Sequence, residues 1–512
     1  MKFRVLLLAA LLVGAAPSPI VLVPLDDRPV TLQLPVMLGE IAGQPVVTPP
    51  RELLGRYLTF GRPDAIIAWL NERAPRSDAF ALSSDMLAYG GLVASRVPGP
   101  SYADAITRLR EIAHLRGKYP RAWIGVFGTV MRLAPTGVPA IGPGATFFAP
   151  YPAWTYLQQY ANLHDPLLPS EVAQAQHLRE LIGEPLLDAY LATRARNYGV
   201  DYSLIGDAAA GIIDRLVLGQ DDAKPYGLHV PEIAALQAYV QSSGAQQRTS
   251  VEPGADELGM ALVANALARS AGWQPRIAVR YSTPEGAQYQ DPLEFTTIGP
   301  TIDDLVALCG GTVDDTNPEI VLYVHLPNAA SLDDAFIASM RADMDAGRSV
   351  ALADLSFEGS YAQQDAFVRR LLSSGVASRL DAYAAWNTDA NTTGTALAEA
   401  IAAGAGRRTH RYDALAHRTF TFMRFADDVD FHDSVRPAIN AWLDAQGITD
   451  HTLLAPDVAQ ATAERTRALL WTQAQATLDQ LYPGYHIAAM QIDLPWDRTF
   501  EVGIHTSIAP SL

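Results

Sequence analysis

Short apolar runs that stop at charged residues alternate with amphipathic stretches along most of this chain. The run at 20–23, IVLV, is wholly apolar and mostly β-branched, as a strand buried on both faces requires. Comparable runs at 45–48, 79–83, 123–127, 214–218, 276–281, 320–325, 349–353 and 381–385 predict further strands. Helical spacing of apolar residues fills the intervals, as at 102–116, 169–198 and 256–271. This alternation predicts an α/β fold of mostly parallel sheets covered by helices. Two α/β lobes around a cleft are expected, with a single (β/α) barrel as the alternative. The rhythm divides the chain at 17–272, an N-terminal α/β domain, and 273–400, a second α/β domain punctuated by Gly310-Gly311 and several prolines. The pattern changes after about residue 400. Residues 415–480, rich in alanine, leucine and charge, predict helices, and the tail HIAAMQIDLPWDRTFEVGI is strand-like and expected to return to the body. The stretch 401–512 is thus a C-terminal helical region with a terminal strand. No internal repeat or low-complexity linker is visible.

The first 16 residues follow a different rule. Lys2 and Arg4 precede an apolar core from Val5 to Val13, and Gly14-Ala15-Ala16 offers a small-residue cleavage site. That order predicts a secretory signal peptide over 1–16 and a periplasmic or secreted protein. The apolar run is too short to span a bilayer. The lone cysteine, Cys309, excludes an internal disulfide and reads as a small buried residue at a helix end. The chain has 512 residues, 49% of them hydrophobic, enough for two or three packed domains without cross-links. Its net charge of −17 argues against nucleic acid and anionic membranes as partners.

Candidate chemistry gathers where strands end. In IVLVPLDDRPV, Pro24 and Pro29 fix φ and forbid a helix, so Asp26, Asp27 and Arg28 sit on a rigid turn past a strand end. That is where ligands bind in α/β proteins. Asp85 follows the 79–83 strand, with Tyr89 and Gly90-Gly91 beside it. Asp221 and Asp222 follow the 214–218 strand, with Tyr226 four residues beyond Asp222. Asp354 ends another strand, and PGADE puts Asp256 and Glu257 at a helix start. One such acid is commonly a helix N-cap, worth about 1 kcal/mol. Several on one rim are costly unless protons, bases or metals compensate them. Arg28 and Arg132 could neutralise them or grip a substrate carboxylate. Trp386 and Asn387, with Asn391 nearby, suit the apolar face and hydroxyls of a sugar, and Trp496 in LPWDR could add a second aromatic wall. No P-loop, dinucleotide fingerprint, HExxH or GxSxG motif is present, and the 11 histidines are dispersed, with His164-Asp165 and His432-Asp433 read as solvated or capping pairs.

The motifs VPLDDRPV, TPPRELLG, SDMLAYGGLVASR, GQDDAKPYGLHV, PGADE, AAWNT with Asn391, and LPWDRTFEV resemble those of the domain of unknown function 4127 family, over about residues 20–505. The resemblance implies one shared architecture and a bacterial origin, and it supplies no catalytic residue. After the Asp354 strand the chain departs from the family pattern, with Phe357-Glu358-Gly359 in place of an Asn-Gly pair, which argues against a family-wide role for Glu358.

The expected function is an exported glycan-acting hydrolase, a glycosidase that uses paired carboxylates as acid and as base or nucleophile. Asp26, Asp27, Asp85, Asp221, Asp222 and Glu257 are the candidate acids. Arg28, Tyr89, Arg132, Tyr226, Trp386, Asn387 and Trp496 are the candidate substrate contacts. No cofactor and no resident metal are expected, and the partner is a carbohydrate. Two alternatives remain: a divalent-metal hydrolase that uses the same acids as ligands, and a non-catalytic periplasmic carbohydrate-binding protein.

Overall fold

A computed structural model describes residues 17–135 and 153–511. The expected signal peptide at 1–16 lies outside the described residues. Among the described residues thirteen strands follow in chain order: β1 (Ile20–Val23), β2 (Val46–Val47), β3 (Ala79–Ser83), β4 (Trp123–Val130), β5 (Arg215–Gln220), β6 (Thr249–Pro253), β7 (Arg276–Tyr281), β8 (Thr312–Val313), β9 (Ile320–His325), β10 (Ser349–Asp354), β11 (Ala382–Ala384), β12 (Tyr485–Asp493) and β13 (Gly503–Pro510). The β-branched run of β1 is fully buried and pairs in parallel with β2 on one side and β3 on the other. The first sheet has the order β2-β1-β3-β4-β5-β6, and every pairing in it is parallel.

The second sheet has the order β11-β10-β9-β7-β8, again all parallel. Read from β8, it has the doubly wound order 2-1-3-4-5 of the first sheet without its sixth strand. No sequence repeat announces this duplication, because topology constrains hydrophobic rhythm and not residue identity. In such sheets the crevice opens where the strand order reverses, outside the carboxyl ends of β1 and β3 and of β7 and β9. The fold is thus α/β with two open sheets, and among the described residues no barrel closes.

Helix Leu258–Ser270, buried along nearly its whole length, packs against helix Asp389–Arg408 and joins the two sheets. One apolar core runs from Leu22 and Phe127 of the first sheet to Val324 and Leu352 of the second. Some elements depart from expectation. The helix read at 169–198 breaks at Gly183, whose φ of 82° separates Val172–Ile182 from Glu184–Ala209. β6 and β8 were not legible: β6 contains the buried Glu252, and β8 is two exposed residues. The strand-like tail forms the antiparallel β12–β13 hairpin, whose tip carries Trp496 back to the first sheet. Among the described residues no helix is long and apolar enough to cross a membrane.

Candidate functional site

Asp26, just past β1, is 2% exposed and accepts from the backbone N–H of Arg28 at 3.0 Å and from Thr31 Oγ1 at 2.8 Å. The Arg28 guanidinium bridges two elements. Its Nη2 donates to Asp26 at 2.8 Å, and Nη1 and Nη2 donate to the two oxygens of Asp256, beyond β6, at 2.9 and 2.5 Å. Bidentate pairing of this kind fixes orientation as well as charge. Asp27 accepts from Trp496 Nε1 at 2.8 Å and Arg51 Nε at 3.1 Å, and burial raises its pKa above the usual carboxylate range. Asp85 is buried after β3 and accepts from Thr129 N at 2.9 Å and Thr129 Oγ1 at 3.1 Å; burial pushes its pKa up to about 6.

After β5, Asp221 is paired with Arg96 and accepts from the backbone N–H of Asp222 at 3.0 Å. Asp222 itself has no basic partner within 4.0 Å among the described residues. Burial first, and then the charge of Asp221, push its pKa up to about 7. Glu257 is fully buried and is held by Ala255 N at 3.1 Å and by the Asn391 amide. Asn391 belongs to the helix after β11, so this contact ties the strand ends of the two sheets together.

A cavity of about 270 Å³ lies outside these strand ends. Its walls include Arg28, Arg96, Arg132, Asp221, Asp222, Asp256, Asn387, Asn391 and, from the hairpin tip, Trp496, Arg498 and Phe500. A neighbouring cavity of about 220 Å³ shares Arg28, Asp256, Asn387 and Phe500 with the first. It adds Trp386, Tyr361, Arg424, Asp427, His432 and Arg436. Burial pushes Asp427 up to about 7 and His432 down to about 3, so His432 is neutral at physiological pH. A larger hollow, about 1120 Å³, lies elsewhere, between helix Gln33–Ala42 and the hairpin. Its walls bring no acid pair to a strand end, and the smaller linked cavities carry the candidate chemistry.

Of the residues singled out from sequence, Arg28, Arg132, Asp221, Asp222, Asn387 and Trp496 meet in the first cavity and Trp386 in the second. Asp26, Asp27, Asp85 and Glu257 are buried behind the walls, where they orient Arg28, Trp496, β4 and Asn391. Tyr89 is 4% exposed beneath the Arg196 guanidinium, 4.2 Å from its ring centroid, and lines neither cavity. Tyr226 stacks on His164, with centroids 4.4 Å apart, and also lies off the cleft. Sequence reasoning missed Arg96, Phe500, Arg424, Asp427 and Arg436. Arg96 and Phe500 lie inside quoted motifs, as the last residue of SDMLAYGGLVASR and the phenylalanine of LPWDRTFEV, but the others come from helices that gave no strand-end signal. His432 lines the second cavity, against the expectation of a solvated or capping residue.

The expected acids are mostly taken by arginine and backbone N–H groups. The described carboxylates close enough together to share a cation are instead Asp291, Glu294 and Asp389. No curated protein and no solved structure matches the chain. Residues 20–505 match the model of the family described as Protein of unknown function (DUF4127), and the chain, carrying this cleft between two parallel sheets, belongs to that family.

Proposed function

We propose that the protein is an exported glycosidase acting on a glycan that carries acidic groups. The observation that supports this most is the state of Asp222. It borders the cavity, has no ion-pair partner among the described residues, and with a pKa of about 7 keeps a proton to donate near neutral pH. In this reading Asp222 protonates the glycosidic oxygen. Asp256, held by both terminal nitrogens of Arg28, is the second carboxylate and serves as nucleophile or as base toward water. Two carboxyls with different surroundings divide the acid and base roles.

The other walls fit a sugar. Trp496 and Phe500 offer flat apolar faces, and Asn387 and Asn391 offer donors and acceptors for hydroxyls. The second cavity, with Trp386, is a neighbouring sugar subsite. Arg132 donates Nε–H to Ala134 O at 3.0 Å, and no carboxylate lies within 4.0 Å of it among the described residues. Arg96 and Arg498 on the same cavity are already paired, with Asp221 and Glu501, so Arg132 is the arginine left to favour a substrate carboxylate.

The test is hydrolysis of a glycan panel that includes uronate-containing polymers, with and without chelator. Asp222→Asn should lower kcat by about 10²–10⁴-fold with the fold retained. Because the acid form of Asp222 is lost as pH rises through about 7, the wild-type rate should fall on the alkaline side of that value. Trp386→Ala should raise KM more than it lowers kcat. Binding of glycans without turnover by wild type would replace the glycosidase with a binding protein. Activity abolished by chelator and restored by Mg²⁺ or Ca²⁺, with Asp222→Asn still active, would replace it with a metal hydrolase.

A further inference from the structure

The second sheet has its own strand-end acids. Asp291 and Glu294 lie in the segment after β7, at the point where that sheet's strand order reverses. Asp389 opens the helix after β11, and Glu358 follows β10. Asp291, Glu294 and Asp389 are 3%, 1% and 0% exposed. Each offers a carboxylate oxygen, and these oxygens all lie within 4.8 Å of one another.

Their hydrogen bonding is incomplete in a particular way. Asp291 accepts from Leu293 N at 2.6 Å, and one oxygen of Glu294 accepts from Ala390 N at 3.0 Å. The other oxygen of Glu294 and both oxygens of Asp389 have no hydrogen-bond partner among the described residues, although all are buried. One oxygen of Glu358 is bonded to the Tyr289 hydroxyl, and its other oxygen is also unpartnered. No Arg, Lys or His comes within 4.0 Å of any of these four acids among the described residues. Buried carboxylates in this state demand either shared protons or a cation.

We propose that Asp291, Glu294 and Asp389, with Glu358 beside them, form a site for one Ca²⁺ ion per chain. The unpartnered oxygens of Asp389 supply what an acidic cluster alone lacks: fully buried acceptors beside two other carboxylates, with no hydrogen-bond donor to them among the described residues. The donors are all carboxylate oxygens, which select a hard cation over zinc or copper. Oxygens within 4.8 Å of one another let one cation, after small side-chain shifts, reach all three at about the 2.3–2.6 Å of a Ca²⁺–oxygen bond. The burial of the cluster favours Ca²⁺ over Mg²⁺, which keeps several of its waters.

The site is distinct from the cleft but mechanically joined to it. Asp389 lies between Asn387 and Asn391, which line the first cavity and bond to each other at 2.5 Å. A cation on Asp389 would pin the first turn of its helix and hold these two asparagines against the cleft. The competing explanation is a cluster that shares protons. Burial pushes Asp291 up to about 6 and Glu358 up to about 8, as such sharing would require in the absence of a cation.

The test uses the full chain, purified without added metal and then stripped with chelator. Equilibrium dialysis against calcium should give one tightly held ion per chain. Thermal unfolding should move up by about 2–5 °C in excess CaCl₂ and by less in MgCl₂. Asp389→Asn and Glu294→Gln should lose both responses, whereas Asp222→Asn, in the cleft, should keep them. If the two cluster variants fail to fold, terbium bound to wild type should luminesce through Tyr289, and calcium should quench that signal at one equivalent. Absence of calcium binding and of a thermal shift in wild type would overturn the site in favour of shared protons. A response that survives Asp389→Asn, or is lost in Asp222→Asn, would overturn it in favour of a cation elsewhere. Neither outcome depends on whether any glycan is cleaved.

Discussion

Arg28 is 5% exposed and is shared by Asp26 and Asp256, with Glu501 at 4.0 Å as a third neighbour. The three carboxyls raise its pKa well above the ordinary arginine value against the opposing effect of burial. The pairing is bidentate to Asp256, a geometry that lysine cannot reproduce. Arg28→Met should therefore cost about 3–5 kcal/mol, because it strands two buried carboxylates. Arg28→Lys should recover only part of that stability. Urea unfolding of the three proteins measures it, and a loss below about 1 kcal/mol in Arg28→Met would show that the acids find other partners. Asp222 is the opposite kind of residue. It lacks an ion-pair partner among the described residues, so replacing it should cost far less stability than replacing Arg28.

At the scale of elements, the hairpin tip matters most. Trp496 sits at φ 60°, a conformation unfavourable for a side chain of its size, between Pro495 and Asp497. Several contacts over-determine it. Its ring stacks on Tyr57 with centroids 5.0 Å apart, the guanidinium carbons of Arg28 and Arg498 lie 4.7 and 4.5 Å from its centroid, and its Nε1 donates to Asp27. Trp496→Phe should keep most of the packing and lose the bond to buried Asp27, a cost of about 1–3 kcal/mol. Trp496→Ala should cost about 3–5 kcal/mol. Thermal unfolding ranks the two, and a Trp496→Phe midpoint equal to that of wild type would mean that the Asp27 bond contributes nothing.

The whole molecule carries an unusual load of buried acid. Burial pushes Asp85 up to about 6, Asp430 to about 7 and Glu252 to about 8. Each of these carboxyls holds its proton more tightly folded than unfolded. The stability each contributes is full below the ordinary carboxyl value near 4 and is lost as pH rises through the folded value. Asp381 and Asp493 shift the other way, and their contribution is lost only as pH falls below about 4. Thermal stability should therefore be higher near about pH 5.5 than near about pH 8.5. Calorimetry at the two values decides it, and an equal or higher midpoint at alkaline pH would contradict the direction. If the second sheet binds Ca²⁺, excess calcium should shrink the difference by replacing protons on Asp291 and Glu358.

The sequence determined what short-range rules can carry. The runs at 20–23, 79–83, 276–281 and 320–325 became β1, β3, β7 and β9 with those limits, because a short, mainly apolar run bounded by polar and turn residues has few alternatives to a buried strand. The rim of Asp26, Arg28, Asp221 and Asp222 was legible for the same reason: each lies within a few residues of a strand whose carboxyl end faces one edge. Only the tertiary structure decided which acid is satisfied and which is not. Asp27 looks like Asp222 in sequence, yet it is held by Trp496, 469 residues away. Arg28 finds its second acid 228 residues away, in Asp256. The cluster of Asp291, Glu294 and Asp389 gave no local signal, because its meaning lies in missing donors around oxygens brought together from separate strand ends. Hydrophobic pattern is a property of neighbours along the chain. Charge compensation is a property of neighbours in space, and it separates the acids of the cleft that are held by a partner from Asp222, which has no ion pair among the described residues.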